Sequence, residues 1–464
     1  MKLTFWGAAQ TVTGSMHLLE FSGKRVLMDC GLYQGRRAEA RRYNAEFPES
    51  PSKLDAVLLS HAHIDHSGLL PKLWREGFRG PVYATPATRD LCRTMLADSA
   101  HIQQKDAEWV NRREKRRGKD AIEPLYDSQD AAAVVEQFVA VDYREPFTPL
   151  PGLEVEYRDA GHILGSATMV LTIQEDGRTV RLGFTGDVGR PDRPILRDPQ
   201  PMPDCDYLIC ESTYGGKTHE PSDQAKERLA DVVRATASRG GKVIIPAFAV
   251  GRTQEIVYRL DELANAGRLP PVPVYVDSPL AVNVTEIFRA HPECYDEELL
   301  AYIERDSDPF GFARLTYVRD AEESKKLNTS RLPMVIISAS GMCEAGRILH
   351  HLKNNIQDAR NTVMIVGYCA DHTLGKKIVD RLPEVRIFDE TYPLRAEVVV
   401  MNSYSAHADE PGLLDFIGKL DRDRLQRIFL VHGAPERQEA LKTALRRERY
   451  RDVYIPEHGE SVVL

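Results

Sequence analysis

Three histidines and an aspartate, side chains that commonly bind metal ions, fall within six positions of this sequence: His61, His63, Asp65 and His66. The apolar run 56–59 before them is typical of a buried strand, so these side chains stand where a strand ends and a loop begins. The first two and the last two must point in different directions, which indicates two metal ions rather than one. Imidazole and carboxylate without thiolate favour Zn²⁺ over Mn²⁺ or Fe. The alternative is a polar loop whose histidines contact only water or backbone.

Three later segments carry the same ligand types at the ends of predicted strands. His162 and Asp187 are flanked by glycines, which let a backbone turn sharply or approach an ion. Each could be an ordinary turn residue on its own; together with the first cluster they predict a third ligand for one ion and a carboxylate that bridges both. His432 follows the strand 427–431 and brings the set to seven. Seven ligands suit two ions that share one carboxylate and a water-derived bridge, an arrangement that hydrolyses phosphodiesters.

Two further carboxylates end predicted strands without an assigned metal. Asp29 follows the strand 25–28 and could orient a ligand histidine from behind. The alternative for Asp29 is a turn residue that caps local amides, and the spacing leaves both interpretations open. Glu211 ends the strand 206–210 in the same way.

The composition is that of an ordinary globular protein, with 464 residues for two or three domains, 42% hydrophobic and 28% charged. A net charge of −8 gives no overall basic surface for nucleic acid, but a metal centre can hold phosphates locally, so a nuclease is not excluded. The local basic run 112–119 is either a solvated surface or a phosphate contact.

The seven cysteines form no Cys-x-x-Cys pair, which argues against disulfides and a zinc ribbon and favours a reducing cytoplasm. Neither a signal peptide nor an apolar run of ~18 residues is apparent.

The pattern of predicted elements changes after Glu211. Strand pairs come before that point and βα units follow, which predicts a parallel sheet covered by helices in a separate domain. In such sheets ligands lie beyond the carboxyl ends of the strands, and two loops there could bind phosphates. One opens a helix at Arg252, and the other runs through Ser338, Ala339, Ser340, Gly341 and Met342 just before a predicted helix 344–355. Ordinary helix capping is the alternative for both loops.

The order of the motifs resembles a known family. His61-x-His63-x-Asp65-His66, followed by His162, Asp187 and a late histidine, is similar to the metallo-β-lactamase fold. The inserted βα domain, Glu211, Ser405-Ala406-His407 and Val431-His432-Gly433 resemble the β-CASP subfamily, in particular the bacterial and archaeal ribonucleases akin to the 73-kDa subunit of the cleavage and polyadenylation specificity factor. The resemblance implies an α/β fold: an αββα sandwich formed by 1–205 and 395–464, with a parallel α/β domain inserted at 206–394.

The resemblance also implies roles for the site residues. One zinc would bind His61, His63, His162 and Asp187, and the other would bind Asp65, His66, Asp187 and His432. A hydroxide held between the ions would attack phosphorus and leave 5′-phosphate and 3′-hydroxyl ends, with His407 as general acid and Glu211 orienting it. Family members that cut RNA carry histidine at the position of His432, where those that cut DNA carry valine, so RNA is implied as the substrate.

Three functions stay open from the sequence. The first is a di-zinc RNA endonuclease that could also act as a 5′-exonuclease. In that case RNA is the partner and no membrane is involved, and the chain could form a homodimer. The second is a zinc hydrolase of small esters or thioesters, which needs neither the inserted domain nor Glu211 and His407. The third is a non-catalytic RNA-processing partner, which would be expected to have lost metal ligands, whereas this chain keeps all of them.

Overall fold

The computed structural model describes residues 1–114, 121–219, 223–367, 369, 372–401 and 404–464. Residues 115–119 of the basic run lie outside this description. The chain forms two compact units. The first comprises Met1–Pro191, Asp198–Thr218 and His407–Leu464, and the second comprises Asp192–Arg197 and His219–Ala406. No helix within the described ranges has both the length and the hydrophobicity needed to cross a bilayer.

The first unit is built on two seven-stranded sheets. Apolar side chains at alternate positions of a strand lie on the same face of its sheet, as do those of Leu153, Val155 and Tyr157, which are all buried in the core that the two sheets share. In spatial order, the first sheet contains β22 (Glu460–Val463), β1 (Lys2–Phe5), β2 (His17–Phe21), β3 (Lys24–Met28), β4 (Ala56–Leu58), β5 (Val82–Ala84) and β6 (Phe138–Ala140). The second contains β21 (Val453–Tyr454), β20 (Arg427–Val431), β11 (Tyr207–Glu211), β10 (Arg178–Phe184), β9 (Ala167–Glu175), β8 (Leu153–Asp159) and β7 (Phe147–Leu150).

The two sheets share one hydrophobic core and carry helices outside it. Phe5 of the first sheet and Phe429 of the second place their ring centroids 4.9 Å apart in this core. The other face of the second sheet packs against Leu413 and Leu441. This arrangement is the predicted αββα sandwich. Its helices are α1 (Arg37–Tyr43), α2 (Ile64–Ser67), α3 (Leu70–Arg75), α4 (Pro86–Glu114), α5 (Ser128–Val135), α13 (Glu410–Gly418) and α14 (Pro435–Arg447).

The second unit contains the predicted parallel sheet. All neighbouring strands in it run parallel, and every residue of its central strands β12 and β15 is buried, as expected for a sheet that is covered on both faces. The strands are, in spatial order, β14 (Leu315–Tyr317), β13 (Val274–Val276), β15 (Met334–Ser338), β12 (Lys242–Pro246), β16 (Thr362–Ile365) and β19 (Glu397–Val400), with a separate hairpin of β17 (Glu384–Ile387) and β18 (Glu390–Pro393). The helices are α6 (Asp223–Ser238), α7 (Arg252–Asn265), α8 (Pro279–Ala290), α9 (Glu297–Ile303), α10 (Ala321–Thr329), α11 (Ile348–Asn355) and α12 (Leu374–Val379).

The limits of the compact units differ from the predicted domain boundaries at 205/206 and 394/395. Strand β11 pairs with β10 and β20 in the second sheet of the first unit, so the chain leaves this unit only after Thr218. Strand β19 pairs with β16 of the second unit, and the chain returns to the first unit at His407. Strand pairing with residues far away in the sequence decided both limits.

Candidate metal centre

The first ligand loop begins where β4 leaves its sheet, and Ser60 fixes its start. The amide of Ser60 donates a hydrogen bond to Oδ1 of Asp29 at 2.8 Å. The hydroxyl of Ser60 lies 3.0 Å from Nδ1 of His61, and Nε2 of the same ring faces His63. The end of a buried strand therefore positions the first imidazole through a neighbouring hydroxyl.

Four of the predicted ligands form a first group: His61, His63, His162 and Asp187. Each offers one ligand atom, and these atoms lie within 4.8 Å of one another. Nδ1 of His63 lies 3.1 Å from Nε2 of His61 and 3.2 Å from Nε2 of His162. Three ring nitrogens and a carboxylate oxygen from three separate loops thus converge.

A second group consists of Asp65, His66 and His432. Nε2 of His432 lies 3.2 Å from Nε2 of His66 and 3.4 Å from Oδ2 of Asp65. Helix α2 carries the first two residues, whereas His432 directly follows strand β20. The amide of His432 donates to the carbonyl oxygen of Ala8 at 2.7 Å, which anchors the backbone that presents this ring.

Asp187 stands between the two groups. Its Oδ2 lies 3.5 Å from Nε2 of His61 and from Nε2 of His162, and 3.4 Å from Nε2 of His66. A single carboxylate oxygen therefore faces ligands of both groups.

A glycine allows two of these loops to lie close together. The amide of Gly189, just after Asp187, donates to the carbonyl oxygen of Ala160 at 2.8 Å. A Cβ atom at Gly189 would lie only 1.9 Å from the carbonyl oxygen of Gly161, the residue before His162. The segments that carry Asp187 and His162 can therefore approach this closely only with glycine at that position.

Burial and neighbouring charges set the protonation of the first group. Burial, followed by the nearby His66, holds the pKa of His61 well below its usual range. Burial likewise lowers the pKa of His63 to about 4. Burial would raise the pKa of Asp187, but the surrounding imidazoles, with His432 the strongest, outweigh it and hold this pKa well below its usual range. Neutral imidazole and ionised carboxylate are the forms that bind a cation.

The donor set of both groups fits metal ions. Oδ1 of Asp187 is buried, lies 3.4 Å from Nδ1 of His432 and accepts no hydrogen bond from the residues that the structure describes. A buried carboxylate oxygen without a donor is unfavourable, and neutral imidazole nitrogens that face one another at 3.1 Å repel unless a cation or proton lies between them. Nitrogen and oxygen ligands without thiolate favour zinc.

Glu211 and His407 form a different kind of group next to Asp187. Oε1 of Glu211 accepts a hydrogen bond from the amide of Val188 at 2.7 Å, and both carboxylate oxygens lie 3.2 Å from Nδ1 of His407. Burial would lower the pKa of His407, but the carboxylates of Glu211 and Asp187 raise it to about 9. The carboxylate of Glu211 is thus already used by the protein, and it holds a histidine rather than offering its oxygens to an ion.

Asp29 lies behind the second group and contacts a ligand histidine there, as the first of its two predicted roles requires. Its Oδ2 lies 2.6 Å from Nδ1 of His66. The hydroxyls of Ser15 and Ser60 donate to the same oxygen at 3.1 Å and 2.9 Å. The two hydroxyl donors come from other segments of the chain, so the carboxylate of Asp29 holds the ring of His66 rather than capping local amides.

Thr213 is a site residue that the sequence analysis missed. Its hydroxyl donates to the carbonyl oxygen of His432 at 3.0 Å, and the same oxygen lies 3.1 Å from Nδ1 of His432. Because the Thr213 hydroxyl donates its proton to the carbonyl, its oxygen must accept a hydrogen bond from Nδ1–H of His432. The lone pair on Nε2 of His432 is then available to an ion. The only signal in the sequence was a hydroxyl just after the strand that ends at Glu211, and such residues are too common after strands to be singled out.

Arg252 lies in the second unit and requires a correction. Its side chain is only 6% exposed, and Nη1 lies 2.6 Å from Oε2 of Glu255. Arg193 reaches the same carboxylate oxygen at 2.7 Å, and the Arg252 guanidinium lies 5.5 Å from the ring centroid of Tyr404. The predicted contact between Arg252 and an RNA phosphate is therefore wrong for this structure, because the side chain belongs to a buried ion-pair cluster.

The loop 338–342 does not open directly into a helix, since α11 begins at Ile348 instead of 344. The buried hydroxyl of Ser338 donates to the carbonyl oxygen of Asp277 at 2.8 Å. The Ser340 hydroxyl accepts hydrogen bonds from the amides of residues 344 and 345 at 3.1 Å and 3.3 Å. The amides that were expected to bind an anion are thus capped by the chain itself. RNA contact by the rest of this loop, Ala339, Gly341 and Met342, stays a prediction.

Three family models match the chain in succession. They are described as a metallo-beta-lactamase superfamily domain over residues 18–180, a Beta-Casp domain over 253–378, and a Zn-dependent metallo-hydrolase RNA specificity domain over 391–456. Among curated proteins, Ribonuclease TTHA0252 of Thermus thermophilus is 39% identical over 462 residues, with 100% of both chains covered.

Longer proteins share the same region. Two of them are named Transcription termination factor FttA. The protein from Pyrococcus horikoshii is 34% identical over 97% of this chain, and the aligned region covers 68% of its own length. The protein from Methanosarcina mazei is 32% identical over 93% of this chain, and the aligned region covers 67% of its own length. The crystal structure of a protein of unknown function from Enterococcus faecalis aligns over 100% of this chain and 99% of its own, with a TM-score of 0.54 and 14% identity. That likeness concerns the fold alone.

The sandwich, the two ligand groups at its strand ends and the matching models define a member of the metallo-β-lactamase superfamily. Within that superfamily the chain belongs to the β-CASP family of metal-dependent hydrolases. The fold class and family that the sequence motifs predicted are confirmed.

Proposed function

We propose that this protein is a di-zinc ribonuclease that hydrolyses RNA phosphodiester bonds. The observation that carries the proposal is the convergence of seven ligand side chains, in which Asp187 stands between three histidines on one side and Asp65, His66 and His432 on the other. The full-length likeness to a protein named a ribonuclease and the match to an RNA specificity domain support RNA as the substrate. One ion would be held by His61, His63, His162 and Asp187, and the other by Asp65, His66, Asp187 and His432.

The protein's own residues hold the ligands in the forms that this chemistry needs. When bound, the two ions lower the pKa of a water molecule and neutralise charge on the phosphate. Asp29 contacts Nδ1 of His66 and Thr213 contacts Nδ1 of His432, so both rings present Nε2 to the second group. These contacts fix the tautomer and the orientation of each ring before substrate arrives.

His407 is the proposed proton donor. The carboxylate of Glu211 occupies Nδ1, which makes Nε2 the nitrogen available to substrate. The side chain of His407 is 20% exposed, whereas that of Glu211 is fully buried. We propose that Nε2–H protonates the leaving 3′ oxygen, so that one fragment ends in a 3′-hydroxyl and the other begins with a 5′-phosphate.

The test is cleavage of end-labelled RNA and of DNA with the same sequence by the purified protein. We expect RNA fragments with 5′-phosphate and 3′-hydroxyl ends, no DNA cleavage, loss of activity after chelation, and recovery with Zn²⁺ at two ions per chain by elemental analysis. A thioester or lactone that is hydrolysed while RNA stays intact would replace this proposal with the small-ester hydrolase. RNA binding without cleavage at full zinc occupancy would favour the non-catalytic partner.

Three finer points belong to the same proposal. Cleavage is endonucleolytic with an added 5′-exonuclease activity, which circular RNA separates from linear RNA, since a circle has no end. A reducing, cytoplasmic location agrees with the seven cysteines, none of which forms a disulfide and all of which are buried. The homodimer stays a prediction that mass photometry of the purified chain would decide.

A further inference from the structure

Four aromatic rings surround a cavity in the first unit that has no part in the proposed chemistry. Trp6, Tyr33, Tyr43 and His458 are among the residues that line this cavity, which is open to solvent. The ring centroids of Tyr33 and Tyr43 lie 4.4 Å apart, and those of Trp6 and His458 lie 4.9 Å apart. His458 is exposed and the other three residues are partly exposed to solvent. We refer to these four residues as the aromatic rim.

The cavity shares its walls with the second ligand group. Ala8, which lines the cavity, accepts the hydrogen bond from the amide of His432. A Cβ atom at Gly31, another lining residue, would lie 1.8 Å from the carbonyl oxygen of Asp65. Residues that line the cavity therefore contact the backbone of two proposed ligands, Asp65 and His432.

Helix α1 adds positive charge beside the rings. Residues 36–42 contain four arginines and one glutamate, in a chain with a net charge of −8. Arg41 and Arg42 are exposed in the last turn of the helix. The Arg42 guanidinium lies 4.7 Å from the ring centroid of Tyr43, so a cation and a ring of the aromatic rim are already neighbours.

We infer that the aromatic rim and helix α1 form a binding surface for single-stranded RNA next to the metal centre. This inference rests on the proposed function. It places the nucleotides that flank the cleaved bond at this surface. Partly exposed rings stack against nucleobases, and arginines contact phosphates; this combination holds single strands without strong sequence preference because every base has a flat face. The competing explanation is that the rings only fasten α1 to the sandwich.

The arginines provide the first test, with a matched control on another helix of the same unit. Arg41→Gln/Arg42→Gln removes the pair in the last turn of α1, and Arg446→Gln/Arg447→Gln removes an equally exposed pair in the last turn of α14. We expect the first double variant to raise KM for single-stranded RNA roughly tenfold at low salt and the second to change it less than twofold. The slope of log(kcat/KM) against log[salt] should fall in magnitude by about 1.4 in the first only, because each phosphate contact with a single strand contributes about 0.7.

The rings provide the second test. Trp6→Leu keeps an apolar side chain but removes the stacking surface, whereas Trp6→Phe keeps a ring. We expect Trp6→Leu to weaken RNA binding roughly tenfold, within the range for loss of one base–aromatic contact, and Trp6→Phe to stay within twofold of the wild type. Thermal unfolding of both variants shows whether α1 is still packed, since a purely structural role would lower Tm without a selective effect on binding.

Binding is also measured by fluorescence anisotropy on zinc-loaded protein that carries His407→Ala, so that cleavage does not interfere. If both arginine pairs change binding equally, or Trp6→Leu binds as the wild type does, the surface is refuted while RNA cleavage by the wild type still supports the proposed function. If the wild type cleaves no RNA but the first arginine pair and Trp6→Leu selectively weaken binding, the proposed function fails and the RNA surface stands.

Discussion

The hydroxyl of Thr213 lies 3.1 Å from Nδ1 of His432 and donates to the carbonyl oxygen of the same residue, so one side chain fixes both the ring and the backbone of a proposed ligand. Glu211, two positions earlier on the same strand exit, holds His407. The end of strand β11 therefore positions a proposed metal ligand and the proposed proton donor together. A displacement of this strand would disturb both functions.

The contact between Thr213 and His432 leads to a prediction about metal affinity. Thr213→Val keeps the shape of the side chain but removes the hydroxyl, and we expect the affinity for the second ion to fall about 10- to 100-fold, as for other residues that orient a ligand. Thr213→Ser keeps the hydroxyl and should bind both ions. Elemental analysis after dialysis against a series of chelator concentrations measures this. Equal retention of two ions by both variants would show that Thr213 does not position His432.

Removal of His407 should separate proton donation from metal binding. We expect His407→Ala to keep its metal content and to lower kcat for RNA by about 10²- to 10⁴-fold, the usual contribution of a general acid. Glu211→Gln can still accept a hydrogen bond from Nδ1 of His407 but carries no charge, so we expect it to lower kcat less than His407→Ala does. Single-turnover cleavage with saturating enzyme measures the chemical step. Wild-type rates in His407→Ala at neutral pH would remove the proton-donor role.

The buried cluster around Glu255 predicts a stability effect at Arg252, the position that the sequence had linked to RNA. Glu255→Ala removes the carboxylate that Arg193 and Arg252 share, which should cost about 3–5 kcal/mol of the free energy of unfolding. Arg252→Met leaves the pair of Arg193 with Glu255 in place and should cost less, about 1–3 kcal/mol. Urea unfolding followed by circular dichroism measures both values. We expect KM for RNA to be unchanged in Arg252→Met; a raised KM with wild-type stability would restore the phosphate-binding role.

Asp261 of the second unit predicts a dependence of stability on pH. Burial raises the pKa of this fully buried carboxyl from 3.8 to about 7, although the hydroxyl of Tyr302, which donates to it at 2.7 Å, acts in the opposite direction. A group whose pKa is raised by folding stabilises the folded state below its unfolded pKa, and this contribution is lost as pH rises through the folded value. Stability should therefore decline between about pH 4 and pH 7, by at most about 4 kcal/mol.

The control for this titration is Asp261→Asn, which cannot ionise. We expect Tm of the wild type, relative to that of Asp261→Asn, to fall as pH rises from 4 to 8. A difference between the two Tm values that is constant over this range would show that Asp261 does not titrate there. Lys325→Gln, at an exposed position of another helix, serves as the reference for an ordinary surface change.

The sequence by itself determined the family, the fold class and the candidate ligands. The residue types and short spacing of His61-x-His63-x-Asp65-His66 predict metal binding. Apolar runs predict the buried strands. His162 and Asp187 could be added because glycines and strand ends mark sharp turns locally. All of these are local properties of the chain, which is why they could be read without a structure.

Only the tertiary structure decided which side chains meet. Arg252 was expected at a phosphate, but burial pairs it with Glu255 and brings in Arg193 from a distant segment. The amides that follow Ser340 are capped by its own hydroxyl. Thr213 carries no signal of its own until strand pairing places it against His432. Such partnerships depend on long-range packing, and a polar residue has the same appearance in a sequence whether it faces substrate or another side chain.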